Sequence, residues 1–101
     1  MKIKLFCSAG MSTSMLVTKM QQAAKEQGLE AEIAAYPEAT MITEAEDCDV
    51  ALLGPQVAFR LKEAQKIFGA KSVPVDVIPM KDYGMMNGKA VLDKALAMKE
   101  A

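Results

Sequence analysis

Apolar residues recur along the chain with two different periods, and the changes of period divide it into short strands and helices. Contiguous or alternating apolar runs cover residues 2–6, 30–36, 49–53 and 72–78, and they predict four strands. Helical spacing covers residues 12–27, 39–45, 56–68 and 89–99. Residues 79–88 follow neither period and contain turn-forming residues, so we predict an irregular segment there.

Glycine and proline mark where several of these elements end. Gly28 and Gly69 each follow a helical run, as is common at helix C-termini. Residues 49–53 are apolar throughout and stop at Gly54-Pro55, which is typical of a central strand buried on both faces. Pro74 has no backbone N–H to donate, and it therefore favours an edge position for the last strand.

Strands that alternate with helices predict an α/β fold with a parallel sheet and helices on both faces. We expect one domain over residues 1–101, with four strands in the order 2-1-3-4. Ligands of such sheets bind beyond the carboxyl ends of the strands, where the strand order reverses. The loops after strands one and three should meet there, and the segment around Tyr83 should border the same edge.

Composition and charge exclude several classes of function. The 12 basic and 13 acidic residues give a net charge of −1, without the basic surface that nucleic-acid binding requires. No apolar run approaches the ~20 residues of a membrane span, and the N-terminus does not read as a signal peptide. We therefore expect a cytosolic protein, not inserted in a membrane, that is monomeric and meets its partners transiently. The two cysteines should be free thiols.

Cys7 is the candidate for chemistry because it joins the first strand to the first helix. Backbone N–H groups at a helix N-terminus bind anions such as phosphate, and the same field favours thiolate over thiol. The pKa of a free cysteine thiol is about 8.5, and a helix N-terminus lowers this pKa by roughly one to several units. The loop that follows is small or hydroxylic except for one methionine, and it comprises Ser8, Ala9, Gly10, Met11, Ser12, Thr13 and Ser14.

Structural explanations stand beside these functional ones. Ser12, Thr13 or Ser14 has the chemistry of a helix cap, and capping uses the same geometry as anion binding. Cys48 lies among carboxylates that should raise its pKa, so it is expected to be a small apolar filler beside a strand.

Two other functions fit a cysteine in this position. The loop is similar to the signature of low-molecular-weight tyrosine phosphatases, with Asp82 as a possible acid, but Thr13 stands where those enzymes carry arginine. Without that guanidinium, and with no histidine in the chain, transfer is favoured over hydrolysis. The second alternative is a regulatory module with a redox-sensing Cys7. We predict neither a cofactor nor a metal site.

The octapeptide from Cys7 to Ser14, with Leu-Leu-Gly-Pro-Gln at residues 52–56 and Tyr83-Gly84 later, resembles the IIB component of the lactose/cellobiose family of the bacterial phosphoenolpyruvate-dependent sugar phosphotransferase system. The resemblance covers essentially the whole chain. It implies a four-stranded parallel α/β domain similar to low-molecular-weight tyrosine phosphatase. The segments 40–47 and 80–86 depart most from the family pattern.

The resemblance also implies roles for individual residues. Cys7 would accept a phosphoryl group from a phosphohistidine of the IIA component and pass it to a sugar during uptake through the membrane permease IIC. Residues 8–14 would hold the phosphate, and Pro55, Gln56 and Tyr83 are candidates for docking partners. The sugar would be a β-linked di- or oligosaccharide of the cellobiose, chitobiose or lactose class.

Overall fold

A computed structural model of the protein describes residues 1–8 and 13–100. Four strands are present in this part of the chain: β1 (Lys2–Cys7), β2 (Glu32–Pro37), β3 (Val50–Leu53) and β4 (Val75–Val77). They alternate with α-helices, which are α1 (Ser14–Glu26), α2 (Met41–Glu44), α3 (Leu61–Gly69), α4 (Met80–Gly84) and α5 (Gly88–Glu100). Three short 3-10 segments cover Glu38–Thr40, Ala45–Asp47 and Pro55–Arg60.

The strands form one parallel sheet in the order β2-β1-β3-β4, as predicted. β1 is central and pairs along its whole length with β2, with Cys7 opposite Pro37. β4 lies at an edge, as predicted, and begins at Val75, immediately after Pro74, whose carbonyl accepts a hydrogen bond from the Ala51 N–H at 3.0 Å. The predicted fold class is therefore confirmed.

Helices cover both faces of the sheet because successive side chains of a buried strand point to opposite sides. Ile3 and Leu5 belong to a core that also contains buried residues of α1 and α5. Phe6 belongs to the opposite core with residues of α2 and α3, and its ring centroid lies 5.5 Å from that of Phe68. In the described part of the chain, no helix is both long and apolar enough to cross a membrane.

Gly88 allows α5 to approach α1 closely. A Cβ atom at this position would lie 2.4 Å from the backbone carbonyl carbon of Lys19 and 2.6 Å from the backbone nitrogen of Met20. Any side chain there would force the two helices apart.

Three sequence expectations were wrong in detail. Residues 79–88 are not irregular throughout, because Met80–Gly84 forms α4. The run 56–68 is not one helix, since Val57 has non-helical angles (φ −116°, ψ 23°) and a 3-10 segment precedes α3. The last strand begins at Val75 instead of residue 72, because Ser72 adopts a positive φ of 58° that ends α3.

Candidate active site

Cys7 is the last residue of β1 and lies at the carboxyl end of the central strand. Its side chain has no exposed surface, and its Sγ lies 3.4 Å from Oγ1 of Thr13. Side-chain alternation places the sulfur on the face of the sheet that α1 covers, together with Ile3 and Leu5. The thiol therefore lies at the carboxyl end of the sheet and against the start of α1.

Thr13 holds the N-cap position of α1, immediately before its first residue. Its carbonyl accepts a hydrogen bond from the Val17 N–H at 2.9 Å, and its side chain is fully buried. Among the described residues, the Thr13 hydroxyl makes no capping bond to the helix and instead contacts Cys7. The expectation that a hydroxyl here caps the helix is thus wrong for the Thr13 side chain.

The other predicted residues of the loop divide into two groups. Ser8 and Ser14 are exposed on either side of it, and Ser14 is the first residue of α1. Ala9, Gly10, Met11 and Ser12 lie outside the described residues.

The segment after β3 packs directly against the segment that carries Thr13. Gly54 donates its N–H to the Phe6 carbonyl at 2.8 Å, which ties the end of β3 to the end of β1. A Cβ at Gly54 would lie 3.5 Å from Cγ2 of Thr13 and 2.8 Å from Oε1 of Gln56. A larger residue would displace the amide end of the Gln56 side chain, whereas its contact with Thr13 would be an ordinary van der Waals contact.

Gln56 connects this segment to α4. Its Nε2 donates a hydrogen bond to the Tyr83 hydroxyl at 2.9 Å. Pro55, at the start of the 3-10 segment, has the helix-initiating position that its fixed φ favours. The segments after β1, β3 and β4 therefore meet at one end of the sheet, as expected from the topology.

The chain's single arginine, Arg60, is paired with carboxylates. Arg60 forms ion pairs with Glu38 at 3.1 Å and with Glu63 at 2.6 Å, and these carboxylates raise the pKa of the guanidinium. Two carboxylates therefore balance its charge. Arg60 does not take the role of the arginine that low-molecular-weight tyrosine phosphatases carry at the position of Thr13.

A second candidate ligand site, a cleft on another part of the surface, contains none of the residues predicted to carry chemistry. The cleft has a volume of about 680 Å³ and is lined by residues such as Lys2, Lys4 and Glu44. Within residues 1–8 and 13–100, no group of three or more His, Cys, Asp or Glu side chains is arranged to hold a metal ion.

Cys48 has the environment of a structural thiol. Its Sγ donates to the Val50 carbonyl at 3.3 Å, and burial raises the pKa of its thiol to about 11. The direction agrees with the prediction, but the main cause is burial, with Asp49 a smaller contributor. Both cysteines are free thiols.

Sequence reasoning missed several exposed apolar side chains on the segments that carry the site residues. Met15, Phe59, Met80 and Met85 are 63%, 80%, 71% and 68% exposed, and they lie on the segments that follow β1, β3 and β4. Phe59 falls outside the helical face formed by Val57, Leu61 and Ala64, and that deviation was the available signal.

A family model described as the lactose/cellobiose-specific IIB subunit of the PTS system matches residues 2–94. The chain is 51% identical over 98 residues to a galactose-specific EIIB component of Lactococcus lactis subsp. cremoris, covering 92% of this chain and 91% of that protein. It is 43% identical over 97 residues to an oligo-beta-mannoside-specific EIIB component of Bacillus subtilis, covering 96% and 94%.

Solved structures agree with these sequence matches. The cellobiose-specific phosphotransferase IIB component of Borrelia burgdorferi superposes with a TM-score of 0.82 at 40% identity, covering 99% of this chain and 92% of that one. The lactose-specific IIB domain of Streptococcus pneumoniae has a TM-score of 0.87 at 13% identity, covering 97% and 96%, and shows likeness of fold alone.

Proposed function

Because the chain belongs to the lactose/cellobiose-specific IIB family of sugar phosphotransferase systems, we propose that Cys7 is the residue that carries its phosphoryl group. Components of this family are phosphotransferases that pass phosphate to sugar, and they work with IIA and IIC partners. The observation that carries the proposal is the position of Cys7 at the carboxyl end of the central strand, against the start of α1.

The proposed chemistry is in-line displacement by sulfur. The Cys7 thiolate attacks the phosphorus of a IIA phosphohistidine, the S–P bond forms, and the P–N bond breaks with its electron pair returning to the imidazole. The chain has no histidine, so the donor imidazole belongs to the partner. A sugar hydroxyl oxygen then attacks the phosphorus of the phosphocysteine, its proton passes to water, the O–P bond forms, and the S–P bond breaks with its electron pair returning to sulfur as a thiolate.

Backbone groups of the loop are proposed to hold the phosphate. α1 begins at Ser14, so its first N–H groups and the positive end of its dipole lie beside the Cys7 end of the sheet. Residues 8–14 include Ala9, Gly10, Met11 and Ser12, and we assign the whole loop to phosphate binding as an extension of this argument.

Docking is assigned to the surface around the sheet end. Pro55, Gln56 and Tyr83 lie on two segments that the Gln56–Tyr83 hydrogen bond joins, so they form one continuous edge. We propose that IIA and IIC both contact this edge, because each must bring its reacting atom to the same sulfur.

The sugar is proposed at the level of class. The relatives' names cover galactose, cellobiose and oligo-beta-mannoside, at identities of 51%, 50% and 43%, so similarity does not select one of them. We propose a β-linked di- or oligosaccharide of the cellobiose, chitobiose or lactose class.

The test is the intact mass of the protein after incubation with phosphoenolpyruvate, the general phosphotransferase proteins and a IIA component. We expect one added phosphoryl group on the wild type and on Cys48→Ser, and none on Cys7→Ser. IIC membranes and the correct sugar should then discharge it, and a sugar panel identifies the substrate.

Three results would contradict the proposal. Phosphorylation of Cys7→Ser at a residue other than position 7 would show that another residue carries the group. An unmodified wild type beside a IIA that is demonstrably phosphorylated, and that phosphorylates another IIB, would remove the carrier role. Steady turnover of an aryl phosphate by the wild type would favour the phosphatase alternative.

A further inference from the structure

The contact between Thr13 and Cys7 joins two buried side chains. Both residues have no exposed surface, and Oγ1 of Thr13 lies 3.4 Å from Sγ of Cys7, which is within hydrogen-bond range for sulfur. Water competes little at such a position, so a hydrogen bond to a charged sulfur is stronger there than at the surface.

The Thr13 side chain is held in place on several sides. Its carbonyl accepts the first helical hydrogen bond of α1 from Val17, and Cγ2 faces Gly54. A β-branched side chain has few χ1 rotamers, so fixing the backbone and the methyl group also fixes the hydroxyl. The helix end does not use this hydroxyl, since among the described residues it makes no capping bond.

We propose that the Thr13 hydroxyl donates a hydrogen bond to the Cys7 thiolate and stabilises it relative to the thiol. An ionised sulfur can only accept, so the hydroxyl must donate to it. Such a charge-assisted bond is roughly twice as strong as its neutral counterpart. This role belongs to the side chain and acts on the sulfur, whereas the phosphate-binding role proposed above belongs to backbone groups.

The hydrogen bond has different consequences for the two transfer steps, and this part of the inference rests on the proposed function. When the S–P bond forms, the sulfur loses its negative charge and the bond from Thr13 weakens. When the sugar oxygen attacks phosphorus, the sugar proton passes to water, the S–P bond breaks, and its electron pair returns to sulfur. Thr13 then stabilises the leaving thiolate, so we expect the Thr13 hydroxyl to shorten the lifetime of phosphocysteine.

The first measurement is a pH titration of the thiolate by its ultraviolet absorbance. The titration of Cys7→Ser is subtracted, so that Cys48 and the tyrosines cancel. For Thr13→Val, which is nearly isosteric, we expect the Cys7 midpoint to rise by about one to two pH units, as a hydrogen bond to a charged group predicts. Thr13→Ser should restore the midpoint, and Thr18→Val, one turn along α1 on its exposed face, should not move it.

A folded Thr13→Val that titrates at the wild-type midpoint would overturn the proposal. If Thr13→Val does not fold, Thr13→Ser and Thr13→Ala give the same comparison, because both lack the methyl group and only serine keeps the hydroxyl. Equal midpoints for that pair would also overturn it.

The second measurement is the half-life of phosphocysteine in the absence of sugar. We expect Thr13→Val to lengthen it, and a shorter half-life would contradict the leaving-group role. The thiolate titration needs no IIA component. A shifted midpoint in a chain that IIA never phosphorylates would therefore support the hydrogen bond while the proposed function failed.

Discussion

At the scale of single residues, the two thiols differ in their surroundings. Cys7 lies at the carboxyl end of β1 beside a hydroxyl group, and Cys48 lies before β3 beside a carbonyl. Burial disfavours the charged form of Cys48 and raises its pKa from 9.0 to about 11. Cys48 should therefore stay protonated and unreactive at neutral pH.

The raised pKa of Cys48 makes stability depend on pH. The unfolded chain loses the Cys48 proton near pH 9.0, whereas the folded protein keeps it until about pH 11. Protonated Cys48 therefore contributes its full stability to the fold below pH 9, and this contribution is lost as the pH rises from about 9 to about 11. Cys48 is partly exposed, so solvent screening reduces the effect of this pKa difference on stability. We expect the free energy of unfolding of the wild type to fall by about 1 to 2 kcal/mol more than that of Cys48→Ala over this range.

Urea unfolding at a series of pH values measures this difference, and the variant corrects for the lysines that titrate nearby. Parallel pH curves for the two proteins would show that Cys48 titrates alike in the folded and unfolded chain.

Lys4 shows what sequence could not predict at this scale. Its position in an apolar strand was evident, but its burial depends on Glu44, forty residues later, whose Oε1 lies 2.9 Å from Nζ. The Tyr36 ring, with its centroid 5.3 Å from Nζ, adds a second contact. The Thr13–Cys7 contact was hidden for the same reason, because the path of the chain between them decides it.

At the scale of elements, three helices end in the same way. After α1, α3 and α4, one residue takes a positive φ: 69° at Gly28, 58° at Ser72 and 51° at Met86. In each case, that residue and the next donate N–H groups back to the last turn, as in a Schellman motif. Only α1 uses glycine, the residue that adopts this conformation without strain.

Exchanging glycine and serine between two of these helix ends measures the free-energy cost of a positive φ at a residue that has a side chain. Ser72→Gly should stabilise the protein by about 0.5 to 1 kcal/mol, because Ser72 is exposed and loses only its strain. Gly28→Ser should destabilise it by a similar amount, since a Cβ there meets no described atom within 4 Å and the cost is conformational. Urea midpoints at constant m-value measure both. Changes of the same sign in the two variants would refute this explanation.

These helix ends also explain where element boundaries were predictable. Gly28 predicted the end of α1 correctly because its chemistry matches its conformation. Ser72 and Met86 give no such signal, so strand four was placed too early and the helix Met80–Gly84 was missed. The elements supported by long apolar patterns, β1, α1, β3 and α5, were predicted within a few residues.

At the scale of the whole molecule, the predicted topology brought the right segments together. Strand order and the reversal point between β1 and β3 follow from connection rules, and they are confirmed. Of the exposed apolar side chains on these segments, Phe59 had a signal in the sequence, but Met80 and Met85 did not, because spacing alone does not show which side of a short helix faces solvent. The single domain over residues 1–101 and the cytosolic location stay predictions.

Phe59 should contribute to docking, because it is 80% exposed on the segment that follows Gln56. Burying its ring against IIA is worth about 1 to 2 kcal/mol, so Phe59→Ser should lower the rate of phosphorylation at limiting IIA by roughly 5- to 30-fold. The measurement is the initial rate of phosphoprotein formation at several IIA concentrations.

Ile42→Ser is the matched control. Ile42 is 72% exposed, but it lies on α2, two residues before Glu44, which reaches Lys4 in the middle of β1. Its substitution should leave the rate unchanged. Equal losses for both variants would mean that general surface polarity, not a docking contact, governs the rate.

The central position of β1 has a consequence for how the reaction is assembled in time. A strand hydrogen-bonded on both sides belongs to the part of a domain that opens least often, so we expect the amide protons of β1 to exchange slowly and the nucleophile at its end to be held in place. The Cys7 sulfur should therefore keep its position during both transfers. We expect the phosphoryl group to pass from IIA to the sugar because IIA dissociates and IIC then binds, without movement of β1.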